Sequence, residues 1–353
     1  MLRLNSWLVS PYSAKVRAYL RWKGVPFEDV VPSVLALRGR IRKAVGKAIM
    51  PTVELADGTW LQDSSEIIDT LEDHLGGESI TPPGPRQRAV NLLLELHGDE
   101  WLPMAALHYR WNRPANARFA MQEFARYGVP WLPSVVGRLV VKPIAKRMQS
   151  YLPLLGVDEG TAPGLESFAT TLIAQLDAHF AEHPFVFGSR PAIADFALYG
   201  PLWAHLYRDV DTTALFDGAP HVRAWMERLA APRQDPGAFL ADDAVPATLE
   251  PVLTTLLAEQ GAYVEALIEA VNTWCDAHPD AERVPRSLGE TAFTIGGVSG
   301  TRRLLSEQLW MVQRPLDVMT PETLAWLRTL GRLEWEPRHR MVRRSFRVVL
   351  DRR

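Results

Sequence analysis

Two short stretches gather residue types that can hold and activate a small anion. The first is Ser10-Pro11-Tyr12-Ser13, which sets three hydroxyls within one turn of a helix whose first position suits Pro11. The second is Asp63-Ser64-Ser65-Glu66-Ile67. Asp and Ser are the types that satisfy the free N–H groups of a helix's first turn. Those same groups, together with the helix dipole, attract a carboxylate. Between them lies Met50-Pro51. A proline lacks an N–H and so suits the opening or the edge of a strand. The combination predicts a small-molecule site assembled from two helix starts and a strand edge.

The elements that must position these residues are legible around them. Leu2 to Trp7 alternates apolar and polar like a short strand. The helix from Pro11 continues through Ala18, Tyr19, Leu20 and Trp22 and stops at Gly24, a C-terminal signal. Val25 to Val31 reads as a second strand. After Pro51, a short apolar strand, the turn Asp57-Gly58 and a second short strand form a hairpin that feeds the helix at Asp63. The order is strand, helix, strand, helix, strand, strand, helix.

With these residues in place, the chain resembles the glutathione transferase superfamily over residues 2 to about 77. Met50-Pro51 resembles that family's cis-proline, and Asp63-Ser64-Ser65-Glu66-Ile67 its acidic-Ser-x-x-Ile element. Ser10-Pro11-Tyr12-Ser13 sits where members carry a catalytic serine or cysteine. The resemblance implies an α/β plus all-α protein: a thioredoxin-like domain at 1–78, a linker at 79–87 and a helical domain at 88–239 with an enlarged insertion near 114–160. A mainly helical extension at 240–353 resembles nothing recognised. It implies glutathione as co-substrate, no metal, a cytoplasmic homodimer and a role in detoxification.

A free thiol has a pKa of about 8.5, and the thiolate is the nucleophile. Lowering that pKa by about two units takes about 2.7 kcal/mol, which one or two hydrogen bonds to the anion, each worth about 1.5–3 kcal/mol, can supply. By position Ser10 is the choice for that donor, with Tyr12 and Ser13 as rivals; simple helix capping by Ser10 is the competing account. The resemblance further implies that the Met50 backbone beside Pro51 meets the cysteinyl part, Asp63 the γ-glutamyl ammonium, Ser64 its carboxylate, and Lys47 or Lys43 the glycyl carboxylate. Capping alone competes for Asp63-Ser64, and a solvated face is favoured for the lysines. Tyr12, His108, Tyr109 and Trp111 are candidate walls for an apolar electrophile, against the commoner reading of such residues as core. Conjugation of glutathione to that electrophile is the implied reaction. Glutathione-dependent isomerisation or dehalogenation is one alternative, and a non-catalytic binding or scaffold protein another.

The remainder of the chain sets bounds. At 353 residues it suits two or three domains, and 47% hydrophobic content is enough for a sizeable core. A net charge of -2 gives no overall pull toward nucleic acid or an acidic membrane. One cysteine, Cys275, makes an internal disulfide impossible, and it reads as an inert buried thiol. No secretory signal is evident, and the run Val129 to Ile144 is broken by Pro130, Pro133, Arg138, Lys142 and Pro143. A soluble, intracellular protein is expected.

The linker is marked by Ile80-Thr81-Pro82-Pro83-Gly84-Pro85. Helices are expected over Arg88–Trp111, Leu165–Phe180, Ile193–Leu202 and Leu249–Trp274. In the resembling family a Ser or Thr stands three residues before Asp195; here it is Ala192, with Ser189 as a substitute. His97-Gly98-Asp99-Glu100 reads as a polar helix face, with Asp99 near a partner subunit by resemblance. Ala292–Gly297 reads as a strand meeting a turn, and Gly296–Thr301 as a turn with an N-cap rather than a phosphate loop. Thr301–Val312 and Thr320–Leu330 read as helices, and the tail from Arg338 to Arg353 as a solvated basic edge.

Overall fold

The computed structural model describes residues 1–232, 235–281 and 283–331. The arginine-rich tail lies outside the described residues. The first unit runs β1 (Leu2–Asn5), α1 (Pro11–Lys23), β2 (Phe27–Val30), α2 (Val34–Ala36), α3 (Arg42–Val45), β3 (Thr52–Glu54), β4 (Trp60–Gln62) and α4 (Ser64–Leu75). The sheet order is β2-β1-β3-β4, with β1 and β2 parallel and the other pairs antiparallel. Asp57 and Gly58 turn β3 into β4; Asp57 Oδ1 accepts from Thr59 N at 2.9 Å. Gly24, at φ 70°, ends α1 and donates its N–H to the carbonyls of Arg21 and Leu20. This is the small sheet with flanking helices of a thioredoxin-like domain.

A helical unit follows: α5 (Pro85–Leu96), a π-helical turn (His97–Trp101), α6 (Leu102–Asn112), α7 (Pro114–Gly128), α8 (Ser134–Gln149), α9 (Ala162–Glu182), α10 (Ile193–Pro201) and α11 (Pro220–Ala230). Close approach explains two glycines. A Cβ on Gly98 would lie 2.7 Å from the Ala197 carbonyl, and one on Gly200 2.7 Å from the Pro11 carbonyl oxygen. Hence α10 packs against both α1 and the π-helical turn.

Ala192 leaves its half of the capping pair empty, yet Asp195 is well satisfied. Its carboxylate accepts from Ala192 N at 2.8 Å, Val186 N at 3.0 Å and Trp225 Nε1 at 2.9 Å. Ser189 is no substitute cap. Its Oγ accepts from Ala238 N at 2.9 Å and so ties down the segment after α11.

The extension is α12 (Glu250–Ala277), β5 (Ser287–Ile295), β6 (Val298–Leu305), α13 (Leu309–Val318) and α14 (Pro321–Leu330). Here one expectation is corrected. The helix read over Thr301–Val312 is strand as far as Leu305 and helical only from Leu309. Gly296 and Gly297, at φ 54° and 81°, form a two-residue turn whose twist suits a hairpin. It pairs Ala292 with Thr301, so Thr301 sits in a ladder and caps no helix. The extension does not stand apart: α12 packs on α9 and the hairpin, α13 on α5, and α14 on α12 and α5. Its apolar residues join a core continuous with the first two units.

Candidate functional site

Ser10 takes extended angles, φ −93° and ψ 121°, and its Oγ accepts from Ser13 N at 3.2 Å. The hydroxyl hydrogen is not used by that cap, so Ser10 retains a donor. Tyr12 is differently placed: its hydroxyl donates to the Asp99 carbonyl at 3.0 Å. Burial, then the Glu100 and Asp99 charges, push its pKa well up, so it does not ionise near neutrality. Ser13 is wholly buried. Of the three hydroxyls, Ser10 is therefore the half-buried one with a free proton.

Asp63 stands at φ 70° as the N-cap of α4. Its Oδ1 accepts from Ser65 N at 3.1 Å and Glu66 N at 3.4 Å. Ser64 is the first helical residue and is buried. Met50 is half-buried, and the Met50–Pro51 peptide is cis, leading into β3. Lys47 and Lys43 are exposed.

Beneath these helix starts lies a charged network. Lys15 Nζ donates to Ser65 Oγ at 2.8 Å, Glu95 Oε1 at 2.8 Å and Asp99 Oδ2 at 2.6 Å. Ser65 Oγ donates to Glu95 Oε1 at 2.6 Å. Lys15 belongs to α1 and Ser65 to the first turn of α4, so the two helix starts are joined through one ammonium. From the extension, Arg314 pairs with Glu95 Oε2 at 2.9 Å and with Asp69 on α4. The Met311 sulfur lies 3.9 Å from Ser65 Oγ.

The titrations follow from the count of charges. Burial alone would lower the Lys15 ammonium, but Asp99 and Glu95 outweigh it and leave it above the ordinary lysine value. Burial would raise Glu95, but Lys15 and Arg314 hold it down at about 2. Asp99 must share one cation with Glu95, and burial leaves it at about 6. Glu100, chiefly through burial, is pushed up to about 8 although Gln308 donates to it. Gln308 in turn accepts from Tyr263 of α12. Asp99 and Glu100 thus face inward. The polar helix face therefore turns into the protein rather than to solvent, and the Asp99 carboxylate pairs with Lys15 of its own chain.

Sequence reasoning missed Lys15, Ser65, Glu95 and Arg314. A signal existed at Glu95, which interrupts the run Leu92-Leu93-Leu94 and Leu96. A carboxylate inside an apolar helix face asks for a buried cation.

The expected electrophile wall is not gathered into one place. Trp111 is buried against Phe124 at 6.0 Å, and Phe124 lies on Trp7 at 5.6 Å. His108 is buried beside Glu166, with Nε2 3.1 Å from Oε1. Tyr109 lines an open cleft of about 640 Å³ with Arg113, Thr170, Asp211 and Glu166, the partner of His108. Successive residues of α6 point in different directions, and Tyr12 on α1 turns its hydroxyl to the Asp99 carbonyl. Cys275 is a buried free thiol. Among the described residues, no group of three His, Cys, Asp or Glu is arranged to hold a metal, and no helix is long and apolar enough to cross a membrane.

Comparisons with known proteins bear on the same two units. Residues 4–79 match the family model described as the glutathione S-transferase N-terminal domain, and residues 164–228 that described as the C-terminal domain. No curated protein matches the sequence. Among solved structures the fold is similar to the β-etherase LigF of Sphingobium sp. strain SYK-6, at 21% identity and a TM-score of 0.46, covering 65% of this chain and 95% of that one. A glutathione S-transferase of Xanthobacter autotrophicus Py2 matches at 22% identity and a TM-score of 0.39, over 69% and 98%. A glutathione transferase family member of Pseudomonas fluorescens Pf-5, with bound glutathione, matches at 19% and 0.36, over 67% and 96%. Residues 4–79 and 164–228 thus carry the N- and C-terminal domain types of the glutathione transferase superfamily, and the chain adds a helical and hairpin extension beyond the matched segments.

Proposed function

We propose that the protein is a glutathione-dependent enzyme that conjugates glutathione, through its sulfur, to an electrophilic, largely apolar small molecule. One observation carries the reading: the starts of α1 and α4 are locked side by side by Lys15 and Ser65, with the Ser10 hydroxyl proton unspent and Asp63 capping α4 through one of its two oxygens. In this reading the γ-glutamyl carboxylate rests at Ser64 on the α4 N-terminus, where N–H groups and dipole favour an anion. The second Asp63 oxygen takes the ammonium. The Met50 backbone pairs with the cysteinyl unit as a strand edge does, and Lys47 meets the glycyl carboxylate.

Ser10 then donates to the sulfur. Stabilising the thiolate by about 1.5–3 kcal/mol through that bond moves the thiol toward ionisation at neutral pH. The sulfur attacks the electrophilic carbon, a carbon–sulfur bond forms, and the leaving group departs with its electron pair. A serine at position 10 disfavours disulfide exchange through a protein thiol. Isomerisation or dehalogenation, in which the glutathione sulfur also attacks, uses the same first step. The family resemblance brings with it a cytoplasmic location and a homodimer, the latter measurable by sedimentation velocity.

Titration calorimetry with glutathione tests the reading. Binding at millimolar ligand or tighter is expected, and none at all would leave a binding or scaffold role for the fold. With binding in hand, Ser10→Ala is expected to lower turnover of an aromatic electrophile by about tenfold to a hundredfold, for a lost bond of about 1.5–3 kcal/mol, with affinity nearly unchanged. Unchanged turnover would remove Ser10 from the chemistry.

A further inference from the structure

The outer face of α8 is built against the usual rule for a helix in water. Its inner face is small and apolar: Gly137, Val141 and Ala145, four residues apart, are buried. A Cβ on Gly137 would lie 3.1 Å from the Ala125 methyl and 3.3 Å from Val129 Cγ2, so α8 sits close on the end of α7. A solvated outer face is normally polar. Here it carries Val135, Val136, Leu139 and Val140, which are 61, 44, 66 and 45% exposed, and Trp131 just ahead is 55% exposed. One turn on, the same face becomes Lys142, Lys146 and Arg147, all exposed.

Charge is equally one-sided. Residues 124–157 contain Arg126, Arg138, Lys142, Lys146 and Arg147 and no Asp or Glu. A second stretch, 30–53, repeats the pattern with Arg38, Arg40, Arg42, Lys43 and Lys47 and no acid. There Val31 and Leu35 are 49 and 70% exposed. The two stretches meet at the end of α7. A Cβ on Gly128 would lie 2.8 Å from Val34 Cγ2 and 3.4 Å from Val141 Cγ1.

We propose that α8 seats the protein on an anionic membrane surface, its apolar half entering the headgroup boundary and its basic half meeting lipid phosphates. Exposed aliphatics, a neighbouring tryptophan and lysines without acids are what an interfacial helix needs. A second copy of the chain fits worse. A two-fold pairing of this face would set the same cations against themselves with no carboxylate between. Nucleic acid fits worse too, because a phosphate backbone covers cations and leaves the valines and leucine in water. The helix lies on the bilayer, since no described helix crosses one. The inference is independent of the thiol chemistry.

The test is co-sedimentation of the full chain with phosphatidylcholine vesicles, with and without phosphatidylglycerol, at low and high salt. Binding to the anionic vesicles, weakened by salt, is expected. Lys142→Gln and Lys146→Gln should each lower partition by about fivefold. Leu139→Asn and Val136→Asn should lower it at every salt concentration, with an unchanged circular dichroism spectrum showing that the fold is kept. Protein that stays in the supernatant overturns the proposal. So does binding that ignores Leu139→Asn, which would place the contact elsewhere on the chain, or a dimer that Leu139→Asn dissociates, which would make the face a protein interface.

Discussion

The Lys15 network and the outer face of α8 use the same residue types to opposite ends. At Lys15 the cation is buried, and Ser65, Glu95 and Asp99 converge on it within 2.8 Å. On α8, Lys142, Lys146 and Arg147 stand in the open beside valines and a leucine, in a stretch without acids. In the interior a charge left without a partner is costly, so each group's position is dictated by the others. At the surface water solvates the charge, and the apolar neighbours are the part out of place. The first region is closed on itself and positions helix starts. The second is left uncovered by the described residues, and the anionic membrane surface proposed above would complete it.

The largest effect expected from breaking this contrast is at Lys15. Lys15→Met leaves Glu95 and Asp99 buried with Arg314 alone, and should cost about 3–5 kcal/mol in denaturant unfolding. Because Asp99 already sits at about 6, the loss should be greater at pH 8 than at pH 5, where Asp99 takes a proton and the deficit shrinks. A loss under about 1 kcal/mol would show that the network is solvated and that the contrast is wrong.

Glu100 gives an intermediate test. Its folded value, about 8, lies above the ordinary glutamate value of 4.5. The folded state therefore keeps a proton that the unfolded chain releases, and stability should fall as pH rises between those two values. Glu100→Gln holds the neutral form at every pH and should flatten this part of the melting temperature against pH. Asp195 and Glu259, each at about 7, would continue to slope the same way. An unaltered profile would place the Glu100 carboxylate in water.

The smallest effect belongs to α8. Leu139→Asn, at a position 66% exposed, should change unfolding free energy by no more than about 0.5 kcal/mol. A larger loss would mean that Leu139 is packed in the free protein and that the two regions are less unlike than drawn.

Local rules were enough for the helix starts. Ser10 before Pro11, Asp63 before Ser64 and the Asp57-Gly58 turn each act within four residues, so types and spacing alone determined β1 to α4 and the resemblance they carry. The same rules mistook Thr301, because the partner that makes it a strand residue, Ala292, lies across a Gly-Gly turn and competes with a helical reading of equal local quality. They also could not reach Arg314, which is 219 residues from Glu95. Which cation meets which buried carboxylate is decided by where α1, α5 and α13 come to rest. That depends on apolar burial summed over the whole core, and no short window contains it. The sequence by itself determined that two helix starts could hold an anion; only the tertiary structure decided that one lysine would hold the two starts together.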